Sequence, residues 1–218
     1  MRLLSINVAQ PVEVKFGGQL VPTSIFKKSV TAPVRVAILN LEGDRQADLT
    51  VHGGPDKAIY AYSWKNIEYW RKFLRRDDLG PGAFGENLTV DDLTDEEIAI
   101  GDELEIGTAR FVVTQPRIPC FKLGIALNAP DFPKIFHYAG RNGFYLRVLQ
   151  EGRVEAGDAI RQIQVASGER ITIAEFVRIT NAPNPAPEQL ERLLRIESLP
   201  SSKKARLKSK FEGKSGDK

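Results

Sequence analysis

The sequence predicts a mainly β protein, a barrel or sandwich with a few short helices, followed by a small three-helix segment. Three observations carry this expectation. Short runs rich in Val, Ile and Phe, several of them alternating apolar and polar residues, fill the first two-thirds of the chain. Turn signals containing Gly separate those runs. Few long helical patterns stand between them, which disfavours a parallel α/β sheet.

Taken in order, the strand candidates are LLSINV (3–8), VEVKF (12–16), VRVAILN (34–40), AIYAY (58–62) and EIAIGDELEIGTARFVVT (97–114). Gly-containing turns fall at 17–18, 42–44, 101–102, 107–108 and 157–158. Ile98, Ile100, Leu104, Ile106, Phe111 and Val113, set around two of these turns, predict a β-meander. One helix interrupts the strands. SWKNIEYWRKFLRR opens on Ser63 as N-cap, puts Ile67, Trp70 and Leu74 on one face, and ends in Arg71, Lys72, Arg75 and Arg76. A shorter helical patch, APDFPKIFHYAG, covers 129–140.

After SGER (167–170) the texture changes. ITIAEFVRI, PAPEQLERLLRIESL and SSKKARLKSKFE read as three short helices punctuated by Pro183, Pro185, Pro187 and Pro200. The expected division is a β domain over 1–168 and a helical segment over 169–218. That segment is too small to bury a core alone, so it must pack on the β domain or on a partner.

Composition narrows the function classes. Hydrophobic residues make up 42% and charged residues 27%, ordinary for a soluble globular chain. No run approaches a membrane span, and the start MRLLSINVAQPVEV lacks the apolar stretch of a signal peptide. A single cysteine forms no internal disulfide, so a cytoplasmic protein is expected. The net charge of +3 is unevenly placed. Residues 201–218 carry seven cations against Glu212 and Asp217, a net +5, which leaves about −2 for residues 1–200. With Phe211 as its one aromatic, this tail reads as a solvated helix and frayed end, not a nucleic-acid arm.

Reactive groups are scarce. There are two histidines, His52 and His137, and no zinc-ligand spacing. No nucleophile elbow, Walker loop or dinucleotide fingerprint is present. Three polar clusters remain. In the first, LEGDRQADLTVHGGPDKAIYAY (41–62), His52, Gly53, Gly54 and Lys57 form a loop whose backbone N–H groups suit an anion, with Asp44, Arg45, Asp48 and Asp56 nearby. A tight turn with solvated polar ends accounts for it equally well. The second, GPGAFGENLTV (80–90), delivers Glu86 and Asn87 at a strand start, which an Asx-type turn also explains. The third is TQPRIPCFKLG (114–124). There Pro116 and Pro119 stiffen the loop around Cys120, and Arg117 and Lys122 favour its thiolate. Inert filler and metal-ligating or redox thiol both remain open on these residues alone.

Together these clusters resemble the MOSC domain family, named for the C-terminal part of molybdenum-cofactor sulfurases, and within it the bacterial YiiM-like subgroup. The matching blocks are SIFKK (24–28), LEGDRQADLTVHGGPDKA (41–58), AFGENL (83–88), GDELEIG (101–107) and QPRIPCFKL (115–123), in the family's order. The resemblance implies a MOSC-type β-barrel with a C-terminal three-helix appendage. It implies a molybdenum cofactor, a molybdopterin, with Cys120 as metal ligand. Lys27, Arg45, Gly53, Gly54, Lys57, Asn87 and Arg117 would bind it, and His52 would act as catalytic acid. It further implies reduction of small N-hydroxylated compounds, such as N-hydroxylated purine bases. With no flavin or iron–sulfur motif visible, electrons would come from a separate reductase. A non-enzymatic carrier of cofactor or sulfur is the alternative, because Cys120 would serve a persulfide equally well.

Overall fold

The computed structural model describes residues 1–166 and 168–215. Its strands are β1 (Leu3–Val8), β2 (Val12–Phe16), β3 (Gln19–Thr23), β4 (Lys28–Val30), β5 (Val34–Ala37), β6 (Asn40–Leu41) and β7 (Ile59–Ser63). They continue as β8 (Leu88–Val90), β9 (Glu103–Ile106), β10 (Ala109–Pro116), β11 (Phe144–Gln150), β12 (Gly152–Val154) and β13 (Ile160–Gln164). The helices are α1 (Leu49–His52), α2 (Trp64–Leu74), α3 (Phe121–Leu127) and α4 (Phe132–Tyr138), then α5 (Ile173–Asn181), α6 (Pro187–Arg195) and α7 (Ser201–Ser215). A 3₁₀ turn, Pro55–Lys57, precedes β7.

Eight strands form one sheet in the order β13-β9-β10-β11-β7-β8-β1-β4, in which only β7 and β8 run parallel. β12, β5 and β6 form a second, three-stranded sheet, and β2 and β3 a hairpin on the Gly17–Gly18 turn. The fold is therefore sheet-dominated with several helices, but the expected closed barrel does not form. Register shifts in the β1–β8, β10–β11 and β13–β9 ladders bend the large sheet round on itself. Among the described residues, the edge strand β13 then approaches β1, next to the far edge, at an isolated bridge between Arg2 and Ala159 rather than through a ladder. The Leu3 N–H donates to Asp158 O at 2.9 Å and the Ile160 N–H to Met1 O at 2.9 Å. β4, at the other edge, is three residues long and pairs with β1 only.

Two further expectations change. The first limb of the predicted meander, 97–100, is a turn with one bridge at Ala99; Ile98 and Ile100 are buried there without ladder pairing. The segment after Cys120 is helical from Phe121 on, because Pro116 and Pro119 restrict only the residues upstream. The helix expected over 63–76 is α2. Its N-cap Ser63 makes no side-chain capping bond, and Arg75 ends it in the left-handed conformation at φ 52°.

β7 decides where the cores sit. Every residue of IYAYS is buried, and alternation sends Ile59 and Ala61 to one face and Tyr60 and Tyr62 to the other. The Ile59 face joins a core shared by the sheets and by Phe176, Leu193 and Leu207 of α5, α6 and α7. The helical segment thus completes the sheet's core. The Tyr60 face joins an aromatic core with Ile67 and Trp70 of α2, Phe84, and Phe132 and Phe136 of α4. Trp70 packs edge-on against Phe132 at 4.9 Å and donates its indole N–H to the Tyr62 hydroxyl at 2.7 Å. Of the tail 201–218, expected as a solvated helix and frayed end, residues 216–218 lie outside the described residues, as does Ser167 of the SGER turn.

Trp70→Ala empties the centre of the aromatic core and is expected to cost about 3–5 kcal/mol in denaturant unfolding. A loss under about 1 kcal/mol would mean that this cluster does not hold α2 to the sheet.

Candidate functional site

One cavity of about 100 Å³ gathers most of the sequence-predicted residues. It lies where the end of β3, the 44–48 loop, α1, the start of β7, the loop before β8 and the 117–122 segment converge. Lys27, His52, Lys57, Asn87, Arg117 and Cys120 all line it. Arg45, Gly53 and Gly54 do not. The Arg45 side chain is exposed, and its neighbour Asp44 faces the cavity instead. The glycine that does line the cavity is Gly85, at φ +78°, where a Cβ would come within 2.9 Å of Ile25 Cγ1.

Asp44 is the hub of the floor. Its Oδ1 accepts from Lys27 Nζ at 2.6 Å and from the Ala9 N–H at 2.8 Å, and its Oδ2 accepts from Asn87 Nδ2 at 2.8 Å. Both members of the Lys27–Asp44 pair are buried. Asn87 is fully engaged. Its amide also donates to Asn7 O, and its oxygen accepts the Tyr60 N–H at 3.1 Å. Glu86 turns away from the cavity and caps its own loop, accepting from the Gly82 and Phe84 N–H groups and from Thr89 Oγ1.

Arg117 forms the wall. Its guanidinium lies between the Tyr60 ring at 5.2 Å and the Phe136 ring at 5.3 Å, both cation–π distances. The residue is only 6% exposed, yet Nη1 has no hydrogen-bond partner. Ser24 Oγ, on the same lining, is likewise buried without a partner. Buried polar atoms are nearly always satisfied, so two orphans on residues that line one cavity make it the natural place for an acceptor ligand. Half-buried Cys120 sits beside them as N-cap of α3. The β2–β3 hairpin reaches this segment by stacking Phe16 on Phe121 at 5.2 Å.

On the opposite side, the Asp48 side chain accepts the Thr50 N–H and so opens α1, which ends in His52. Burial chiefly lowers the His52 pKa, and the cations Lys122, Lys57 and Arg117 lower it further against Asp48. The HGGPDK loop is pinned from behind. The Asp56 carboxylate accepts from Arg147 Nε at 2.6 Å, and Asp56 O accepts from Thr114 Oγ1 at 2.7 Å. Burial also lowers the Lys57 pKa, helped by the Arg206 guanidinium that α7 brings to the edge of the site. His137 of α4 is not part of the lining; its backbone oxygen accepts from Asn181. No cluster of three His, Cys, Asp or Glu side chains is set to hold a metal ion among the described residues.

The sequence passes over Ser24, Tyr60 and Tyr145 of this lining. The two tyrosines read as core residues of strands, and in the SIFKK block only Lys27, not Ser24, is given a role. The period-two alternation of AIYAY was the available signal for Tyr60, since it sets Tyr60 on the face opposite Ile59.

The MOSC domain family matches residues 48–161, which hold His52, Lys57, Asn87, Arg117 and Cys120. The chain belongs to the MOSC domain family. It is 38% identical to the uncharacterized protein YflK of Bacillus subtilis (strain 168) over 82% of this chain and 80% of that one. It is 34% identical to YiiM of Escherichia coli (strain K12), over 88% of each. The crystal structure of YiiM from Geobacillus stearothermophilus superposes with a TM-score of 0.80 at 32% identity, over 96% of this chain and 98% of that one. A protein of Gibberella moniliformis (strain M3125 / FGSC 7600) named "Reductase" is 31% identical over 74% of this chain, which spans only 29% of it. MOSC domains are associated in general with molybdenum-cofactor binding, and the fold places this chain with the YiiM-like members.

Two outcomes test the geometry. Lys27→Met leaves the Asp44 carboxylate buried without its cation and is expected to cost about 3 kcal/mol of stability, measured by denaturant unfolding. Asp44→Asn strands the buried Lys27 ammonium instead and should cost a comparable amount. In a proton NMR titration His52 should protonate below its ordinary value of 6.5. The folded state resists a proton that the unfolded chain accepts, so stability declines as pH falls from about 6.5 toward the lowered native value.

Proposed function

We propose that this MOSC protein binds a molybdenum cofactor through Cys120 and reduces N-hydroxylated compounds, such as N-hydroxylated purine bases, to the amines. The observation that carries the reading is the convergence of a lone thiol with two orphaned, buried polar groups, Arg117 Nη1 and Ser24 Oγ, in one cation-lined cavity. The donor set fits such a group. A thiolate suits a soft metal, and an unpartnered guanidinium N–H suits an anionic oxygen. The cavity volume of about 100 Å³ suits a small inorganic group or one end of a larger cofactor.

The reaction consumes two electrons and two protons: R–NH–OH becomes R–NH₂ with release of water. A molybdenum cofactor supplies the two-electron oxygen-atom acceptance that no side chain here supplies. Cys120 Sγ would be its protein ligand. Arg117 and Ser24 would donate hydrogen bonds to anionic oxygen, while Asp44 and Asn87 keep the floor rigid without touching the chemistry. His52 would deliver a proton to the leaving oxygen. Burial is the main cause of its lowered proton affinity, which makes the imidazolium a readier donor, and an anionic group entering among Lys122, Lys57 and Arg117 would offset the part of the lowering that those cations cause. Electrons would come from a separate reductase in the same compartment, the cytoplasm by expectation. The long fungal relative supports this: the matching region occupies 29% of a protein named "Reductase", leaving most of its length for other work.

A carrier of cofactor or sulfur is the second reading, favoured by the half-buried, reachable position of Cys120. Two measurements decide. Protein made in a molybdenum-replete host and purified without oxygen is expected to contain molybdenum, and Cys120→Ser to lose it. Retained metal in that variant would overturn the ligand assignment. Turnover of an N-hydroxylated base with a small-molecule electron donor is expected from the metal-bearing protein; metal without turnover would favour the carrier.

A further inference from the structure

Asp95 lies outside the cavity and has no part in the chemistry above, yet it is 4% exposed and holds three donors. Its Oδ1 accepts the N–H groups of Asn142 and Gly143 at 2.8 and 2.7 Å, and its Oδ2 accepts from Asn66 Nδ2 at 2.6 Å. The same two loop residues grip the backbone of Arg117. Asn142 Nδ2 donates to Arg117 O at 2.9 Å, and the Arg117 N–H donates to Gly143 O at 3.1 Å. The Tyr60 hydroxyl closes the arrangement by donating to Asn142 O at 2.8 Å. Nor is there slack against β7. Gly143 has φ +66°, and a Cβ there would stand 2.6 Å from Ala61 O.

We propose that Asp95 is a positioning residue for the Arg117 guanidinium: its carboxylate sets the 140–143 loop, and the loop sets the backbone of Arg117, whose side chain forms part of the cavity wall. The proposal rests on the reading of that cavity as an anion site. It also makes the site sensitive to mild acid. Burial is the main reason that the Asp95 carboxyl is pushed up to about 6, against the opposing bonds from Asn66, Gly143 and Asn142. An ionised carboxylate accepts all three donors. A protonated one turns one of its positions into an O–H that faces a donor, and the grip loosens. Protons have access, because Asp95 forms part of the wall of a second cavity of about 430 Å³.

The neighbouring titratable and charged groups do not duplicate this behaviour. Tyr60 and Tyr62 on β7 are pushed well above the usual phenol range by burial. Arg141 donates to Asn66 Oδ1 at 2.9 Å and lies over the Tyr69 ring at 4.2 Å. Glu96, and Arg178 of α5, share the wall of the second cavity. Within the first cavity His52 acts in the opposite sense, since its protonation on acidification strengthens anion binding. The His52→Gln background removes that contribution.

The test uses the whole chain, with inorganic sulfate as the probe because its charge is constant over the range. In ¹⁵N NMR the amide signals of Arg117, Asn142 and Gly143 are expected to titrate together with a midpoint near the 6 of Asp95. His52→Gln protein should lose sulfate affinity by roughly threefold to tenfold between about pH 7.5 and about pH 5.5. Adding Asp95→Asn should abolish both the shared titration and the pH step. Asn142→Ala should weaken sulfate binding and uncouple the Arg117 signal while leaving the carboxyl to titrate. Folded Asp95→Asn protein that keeps the pH step overturns the proposal, as does an Arg117 amide that ignores its two neighbours in the wild type. Should sulfate bind nowhere, the anion reading of the cavity fails, and the shared amide titration alone decides the positioning role.

Discussion

The buried Lys27–Asp44 ion pair, completed by the Asn87 amide, is the contact on which the site depends. It ties four stretches that are far apart in sequence: the end of β1, the entry to β4, the loop after β6 and the start of β8. Apart from β1, these stretches have little local structure to hold their places. β4 and β8 are three residues each, and β6 is two. A carboxylate out of water demands its donors, so the chain must bring a cation, a backbone N–H and an amide to one point. Removing any one partner costs far more than the net worth of the pair. That asymmetry makes the floor of the cavity a single arrangement.

Upon this floor, β7 separates two kinds of packing. Its aliphatic face is covered by the helical segment at the C-terminal end, and its tyrosine face by α2 and α4. The aromatic side does more than fill space. Tyr60 and Phe136 provide the faces between which Arg117 keeps its charge in a buried setting. Aromatic faces solvate a guanidinium partly and without using its N–H groups. A nitrogen is thereby left to a ligand, where an acidic side chain would have consumed it.

Much of the fold was legible because it is written at short range. The alternation in LLSINV, VEVKF and AIYAY, the Gly17–Gly18 turn, and the apolar stripe of α2 all depend on neighbours within a few residues. The three C-terminal helices follow their proline punctuation for the same reason. Barrel closure was not legible. It depends on whether a bent sheet's edges fall in register, and here β13 reaches β1 at one bridge only. Residues 97–100 misled because Ile98 and Ile100 have the spacing of a strand but are buried in a turn.

By itself, then, the sequence determined the strand-rich character of residues 1–168, helix α2 and the three C-terminal helices, the aromatic and aliphatic faces of β7, the family, and the blocks that bring His52, Lys57, Arg117 and Cys120 to the site. These follow from side-chain chemistry and local backbone restriction, such as the stiff PRIP approach to the thiol. Only the tertiary structure decided which of those residues meet. It set Asp44 rather than Arg45 into the cavity and Gly85 rather than Gly53 or Gly54 against it. It spent Asn87 on the floor, left Arg117 Nη1 and Ser24 Oγ unpartnered, and ran a line of hydrogen bonds from Asp95 to Arg117. Whether a polar group is free for a ligand depends on every donor and acceptor packed around it, and those come from parts of the chain whose separation in sequence carries no local signal.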